Sequence, residues 1–211
     1  MGFLNRFFNQ TRKPEGFWGR VMLSGMNGGG HAKLADFGMN VLPKDGVKQI
    51  AELGCGGGRN VDALLKKYDS SFVTAVDYSE ESIKKATKFN KRNRFRCEIK
   101  QGNVKNLDLP KGKYDLATAF ETVYFWQEIE DCFRNVFEIL KVGGRFLIVN
   151  ESDGKDETGK KFESIIEGMK VYTAEELTDA LKKAGFTDVK ITCHDKKPWI
   201  AVLATKQKEC I

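Results

Sequence analysis

The sequence predicts an α/β fold: one seven-stranded sheet, mostly parallel, doubly wound with helices on both faces and finished by an antiparallel C-terminal strand. Three observations predict it. Between residues 47 and 205, short runs rich in Val, Ile, Phe and Ala alternate with segments of helical period. The first run ends in Glu52-Leu53-Gly54-Cys55-Gly56-Gly57-Gly58 and passes directly into a helix pattern. The last two runs are separated by a short turn, so they must pair antiparallel, because a parallel crossover needs a dozen or more residues.

Residues 1–46 are expected to form a helical cap ahead of the first strand. Phe3, Leu4, Phe7 and Phe8 make one apolar helix stripe that Pro14 ends, and this piece is expected to dock as a lid. Phe17, Trp18, Val21, Met22 and Met26 mark a second amphipathic piece. Gly28-Gly29-Gly30 is expected to break it, with a helical pattern resuming over 31–42. The core then occupies 47–211. Strands are expected at 47–53, 71–76, 95–101, 114–120, 145–150, 187–193 and 199–205. Helices are expected at 60–68, 79–90, 128–140 and 172–185. Ser79 suits a helix start. Thr173 with Glu176 makes a capping box, and Gly185 a C-terminal cap. Residues 151–170 are polar apart from Phe162, Ile165 and Ile166, and are expected to be an insertion beside the ligand edge.

Composition narrows the classes. At 211 residues and 41% hydrophobic content, the chain can bury one ordinary core. No apolar run reaches the ~18 residues of a membrane span, and no signal peptide is visible. The five cysteines form no Cys-x-x-Cys pair and are odd in number, which argues against a metal site or disulfide framework and for a cytoplasmic location. The net charge of +6 leaves nucleic acid open. The basic residues are spread except for Lys84, Lys85, Lys88, Lys91, Arg92, Arg94 and Arg96, which are expected to form a solvated helix face.

Ligands of such sheets bind beyond the carboxyl ends of the strands, where the strand order switches. Those ends bring Glu52 and the glycines, Asp77-Tyr78-Ser79, Gly102-Asn103-Val104 and Ala119-Phe120-Glu121-Thr122 to one edge. Glycines allow close backbone approach, and the N–H groups of a helix start face whatever sits there. A dinucleotide site would need a third glycine at position 59, which is Arg59. Glu52 and Asp77 lie 25 residues apart, the spacing of successive strand ends. A carboxylate at 77 can accept two ribose hydroxyls, a use that dinucleotide enzymes share.

Taken in order, Glu52-x-Gly54-x-Gly56-x-Gly58, Asp77, Gly102-Asn103-Val104 with Leu107, Leu109 and Pro110, Leu140-Lys141-Val142-Gly143-Gly144, and Tyr172-Thr173 through Ala184-Gly185-Phe186 resemble the class I S-adenosylmethionine-dependent methyltransferases. The resemblance covers residues 48–205 and is strongest to the small-molecule branch related to ubiquinone and menaquinone methyltransferases. Asn103 stands where that family usually has Asp, and Val142 where it has Pro. The resemblance implies a Rossmann-like core that binds S-adenosylmethionine and leaves S-adenosylhomocysteine. It implies cofactor contacts from Glu52, Gly54, Cys55, Gly56, Gly58, Asp77, Tyr78, Asn103, Val104, Phe120 and Glu121, with the Asn103 oxygen meeting the adenine amino group. His31 and Glu121 are the candidate catalytic groups. Met26, Asn27, His31, Tyr124, Trp126 and Tyr172 are candidates for the acceptor, and no metal is implied. The expected acceptor is a small molecule, the expected assembly a monomer or homodimer. An RNA methyltransferase and a cofactor-binding module without turnover are the alternatives. Against RNA, the Asn/Asp-Pro-Pro-Tyr/Phe signature is absent after the fourth strand.

Overall fold

The computed structural model describes residues 29–207, with side chains from Ala32 onward. The chain runs α1 (Gly29–Met39), β1 (Gln49–Leu53), α2 (Arg59–Lys67), β2 (Phe72–Asp77), α3 (Glu80–Phe89), β3 (Cys97–Gln101), β4 (Tyr114–Phe120), α4 (Ile129–Ile139), β5 (Leu140–Asn150), α5 (Glu157–Ile165), α6 (Ala174–Lys183), β6 (Thr187–Cys193) and β7 (Ile200–Thr205). The strands form one seven-stranded sheet in the order β3-β2-β1-β4-β5-β7-β6. Strands β1 to β5 pair in parallel, with Ala51 opposite both Thr74 and Ala117. Strand β7 lies antiparallel between β5 and β6. The chain therefore starts in the middle, winds outward to β3, and returns across β1 to β4. That reversal opens a crevice at the carboxyl ends of β1 and β4.

Period-two alternation sorts the strand residues onto two buried faces. Ala51, Leu53, Ala117, Ala119, Phe146 and Ile148 meet Phe133 and Val136 of α4 and Leu177 and Leu181 of α6. Ile50, Val73, Leu116, Leu147 and Val149 meet Leu34, Ala35 and Met39 of α1, Val61 and Leu64 of α2, and Ala86 of α3. Helix α1 is thus one of the layer helices. It sits so close to β5 that a Cβ on Gly38 would stand 2.2 Å from Val149 Cγ2.

Most expected boundaries fall within one or two residues of those observed, and the exceptions have local causes. Gly29 and Gly30 do not break a helix but form the first turn of α1. Strand β3 starts at Cys97, because Arg96 is turned back to donate to the carbonyls of Leu65 (3.0 Å) and Tyr68 (2.7 Å). Residues 140–144, which precede the strand expected at 145–150, already belong to β5. The register breaks there between Tyr114 and Leu116, and Gly143 takes φ 82 while its N–H donates to the Lys206 carbonyl. Helix α6 carries the expected capping box, with Glu176 N–H donating to Thr173 Oγ1 at 3.2 Å and Thr173 N–H to Glu176 Oε2 at 2.9 Å. Gly185, at φ 102, follows the cap residue Ala184. The 151–170 segment contains α5, capped by Asp156. The helix stripes expected within 1–28 lie outside the described residues.

Candidate active site

The glycine loop is shaped by its neighbours. Gly54 N–H and Cys55 N–H both donate to the Val76 carbonyl, at 2.7 and 3.1 Å, and so staple the end of β1 to β2. Gly54 has φ 81, and a Cβ there would meet the Thr122 side chain at 2.6 Å. Gly58 caps α2 at φ 82. A Cβ on it would stand 2.6 Å from Asn90 Nδ2 and 2.8 Å from Ala86 Cα, and Asn90 Nδ2 donates to its carbonyl at 2.8 Å. Only glycine meets both demands, so Gly58→Ala combines a left-handed penalty with overpacking. We expect a loss of about 3 kcal/mol, measured by urea unfolding. A loss below about 0.5 kcal/mol would mean that α2 and α3 part easily. Cys55 is buried, and burial with the nearby Asp77 and Glu52 carboxylates pushes its thiol well above the ordinary value, so it is a filler rather than a nucleophile.

Three carboxyl groups surround this loop. Asp77, at the tip of β2, accepts from Gly56 N–H through Oδ2 (2.8 Å) and from Ser79 N–H through Oδ1 (2.9 Å). Burial raises its pKa, and the same N–H groups oppose the rise. Glu52 is fully buried on β1 and accepts from the Thr118 hydroxyl, while its Oε1 has no partner among the described residues. Burial pushes it up to about 8, with Thr118 and Asn60 opposing and Asp77 adding. Glu121, just past β4, takes a left-handed φ of 60. Its Oε1 accepts from the Tyr124 hydroxyl (3.0 Å) and from Glu151 N–H. The residue keeps some exposure toward the crevice, but its carboxyl is enclosed, and desolvation pushes it up to about 8.

Two cavities flank the loop. The larger, about 200 Å³, is lined by Gly54, Gly56, Asp77, Tyr78, Asn103, Val104, Phe120, Glu121 and Trp126 among others. The smaller, about 60 Å³, lies between the loop and α1 and is lined by Leu34, Ala35, Cys55, Arg59, Asn60 and Glu121 among others. Glu52 and Gly58 line neither cavity and sit behind the loop that they shape. Asn103 lines the large cavity, but its Oδ1 accepts Lys105 N–H at 2.9 Å, so the expected acceptor oxygen is engaged in a local turn. Of the expected acceptor contacts, Trp126 is on the wall. Tyr124 and Tyr172 are buried behind it, with the Tyr172 hydroxyl turned to the Trp126 carbonyl at 3.5 Å. His31 stands in the first turn of α1, one turn before Leu34 and Ala35, and its side chain is outside the described part. Met26 and Asn27 lie outside the described residues. Arg59, read above only as the residue in place of a third glycine, lines the small cavity, a role the sequence did not signal. Thr122, at the end of the fourth expected strand, and Phe125, in the aromatic run with Tyr124 and Trp126, both line the large cavity.

The donor set suits an adenosyl group with an amino-acid tail. A buried carboxylate faces the large cavity for hydroxyls, apolar Val76, Val104 and Phe120 offer walls for a flat ring, and the glycine cradle leaves no room for side chains. Among the described residues, no cluster of three or more His, Cys, Asp or Glu could hold a metal ion.

Comparison with known proteins agrees with this reading. A methyltransferase-domain family profile matches residues 50–144, from β1 into β5. An uncharacterised methyltransferase of Bacillus subtilis, YdaC, is 26% identical over 75% of this chain and 82% of its own length. A malonyl-acyl-carrier-protein O-methyltransferase of Bacillus cereus is 29% identical over 69% of this chain, which spans only 58% of that relative. Several other curated relatives are likewise spanned over about half their length. Among solved structures, a methyltransferase from Haloferax volcanii in complex with the Trm112 activator aligns with a TM-score of 0.79 at 16% identity, over 89% of this chain and 95% of its own. These three relatives do not single out the quinone-ring branch. With the β3-β2-β1-β4-β5-β7-β6 sheet, the glycine cradle and Asp77 facing the crevice, the chain is a class I S-adenosylmethionine-dependent methyltransferase with S-adenosylmethionine as its cofactor.

Proposed function

We propose that this enzyme transfers the methyl group to a small-molecule acceptor that enters the large cavity from the side of Phe125 and Trp126. The cofactor supplies an activated methyl on a sulfonium, so the protein's part is binding, alignment and exclusion of water. In this reading the loop N–H groups and Arg59 hold the amino-acid end, Asp77 the ribose hydroxyls, and Val76, Val104 and Phe120 the adenine.

The observation that carries the reading is the far wall of the large cavity. Phe125 and Trp126 flank Glu121 there. The 151–170 segment is fastened over the same region by Tyr124, whose hydroxyl accepts Ser152 N–H (3.1 Å) and whose carbonyl accepts Lys170 N–H (2.8 Å). Such a walled space suits a compact acceptor. The basic residues of 84–96 support the same choice over RNA. They lie on α3 and in the turn between α3 and β3, and none of them lines either cavity. Lys84 is paired with Glu80 at 2.8 Å, and Arg96 is consumed by backbone carbonyls. A cytoplasmic location fits cysteines that are unpaired at 55, 97, 132 and 193. Among the described residues no helix is long and apolar enough to cross a membrane. A monomer or homodimer completes the proposal.

The test is an acceptor screen that follows S-adenosylhomocysteine formation over carboxylic acids, amines, phenols and thiols, with unmodified RNA as a parallel arm. Turnover on RNA that collapses with added salt, and none on small molecules, would overturn the reading. With an acceptor in hand, His31 is the proposed base. His31→Ala should leave cofactor affinity unchanged and slow turnover on the order of a hundredfold. Unaltered turnover would retire it.

A further inference from the structure

The two cavities beside the glycine loop share four lining residues: Gly54, Gly56, Phe120 and Glu121. A ligand that occupies both must pass between these four. Three of them have no ionisable side chain, and Glu121 has one. Its backbone is held in a conformation sparsely populated by residues other than glycine, and its carboxyl is fixed by the Tyr124 hydroxyl at 3.0 Å and by Glu151 N–H. A cofactor with adenosine in one cavity and its amino-acid tail in the other has a sulfonium where the two halves join. We propose that Glu121 is the counter-charge of that sulfonium, so that the site tells the methyl donor from its spent thioether by the charge on one atom. The inference rests on the cofactor assignment made above.

Burial leaves the Glu121 carboxyl protonated near neutrality, since its pKa stands at about 8. A fixed positive charge beside it favours the carboxylate. Donor binding therefore expels a proton, and thioether binding does not. Tyr124 in the 123–125 turn and Glu151 after β5 act directly on Glu121, and the other charged residues lining the two cavities are Asp77 and Lys105 in the large one and Arg59 of α2 in the small one. Burial holds Tyr124 far above its ordinary value, so it stays a hydrogen donor. Glu151 opposes ionisation of Glu121. The two ligands share the same adenosine and the same amino-acid tail, so any proton moved at Asp77 cancels between them.

Calorimetric titration at pH 7 tests this. Full-length protein is titrated with S-adenosylmethionine and with S-adenosylhomocysteine in two buffers of different ionisation enthalpy. The wild type should release roughly half a proton to one proton more with the donor than with the thioether. Glu121→Gln should abolish that difference and weaken the donor about tenfold while changing the thioether less than about twofold. Equal proton release with both ligands, or a substitution that weakens both alike, would overturn the charge role and leave the cofactor site standing. Failure of both ligands to bind the wild type would overturn the cofactor assignment, and the charge role with it. The wild-type proton count stands even if the Gln variant folds poorly.

Discussion

Asp77→Ala should weaken S-adenosylmethionine and S-adenosylhomocysteine alike, by about a hundredfold, or ~2.7 kcal/mol. Two losses add. The carboxylate faces the large cavity, where it can accept hydroxyls with its remaining lone pairs. It also accepts Gly56 N–H at 2.8 Å, which holds the glycine loop in place beside the tip of β2. Asp77→Asn separates the two. One amide oxygen can still take the Gly56 N–H, so the loop stays braced while the charge is lost, and the weakening should be nearer tenfold. Calorimetry on both variants decides it. Unchanged affinity in the alanine variant would place the ribose elsewhere and undo the site. Equal losses in both variants would mean that bracing contributes little.

The second large effect is on stability. A carboxyl that is fully buried beside one hydroxyl, with its other oxygen unpartnered, resists ionisation. The unfolded chain releases the Glu52 proton near 4.5, whereas the folded chain keeps it up to about 8. Between those values the unfolded state binds fewer protons, so stability falls as the pH climbs and levels off above 8. The contribution is on the order of 4 kcal/mol across the window. Glu52→Gln removes the titrating group and keeps an oxygen for Thr118. The variant should be more stable than the wild type at pH 8 by several kcal/mol and nearly equal to it at pH 5, by urea unfolding at each pH. Glu121 titrates in the same direction in both proteins, so the difference between them isolates Glu52. Parallel curves for the two proteins from pH 5 to 8 would show that Glu52 is already ionised in the fold.

Features fixed by the backbone were legible in the sequence. The alternation of runs gave seven strands, because each buried strand must be apolar and each crossover needs a helix. Gly54 and Gly58 were legible because no other residue tolerates φ near 80 with a neighbour at 2.6 Å. Asp77 followed from its position at a strand tip. Contacts made by docking were less legible. Leu34, Ala35 and Arg59 reach the small cavity only because α1 lies across β5 toward the start of α2. Tyr124, Phe125 and Trp126 are three aromatics in a row, and sequence cannot say which faces inward. A single turn at Val123–Phe125 sends Tyr124 under the 151–170 segment and leaves Phe125 and Trp126 on the cavity wall. The Gly143-Gly144 pair precedes the strand expected at 145–150, yet Gly143 N–H donating to the Lys206 carbonyl and Lys206 N–H to that of Gly144 tie it into the start of β5.

Strand β7 slots between β5 and β6, although it is made after both. During vectorial synthesis, β6 emerges with no neighbour to zip against, and β5 waits with one flank bare. Both vacancies are filled by a single late insertion of six residues, Ile200–Thr205. That stretch behaves as a keystone. Nascent chains lacking it would present two sticky borders at once, which makes this step the point of greatest exposure to misassembly.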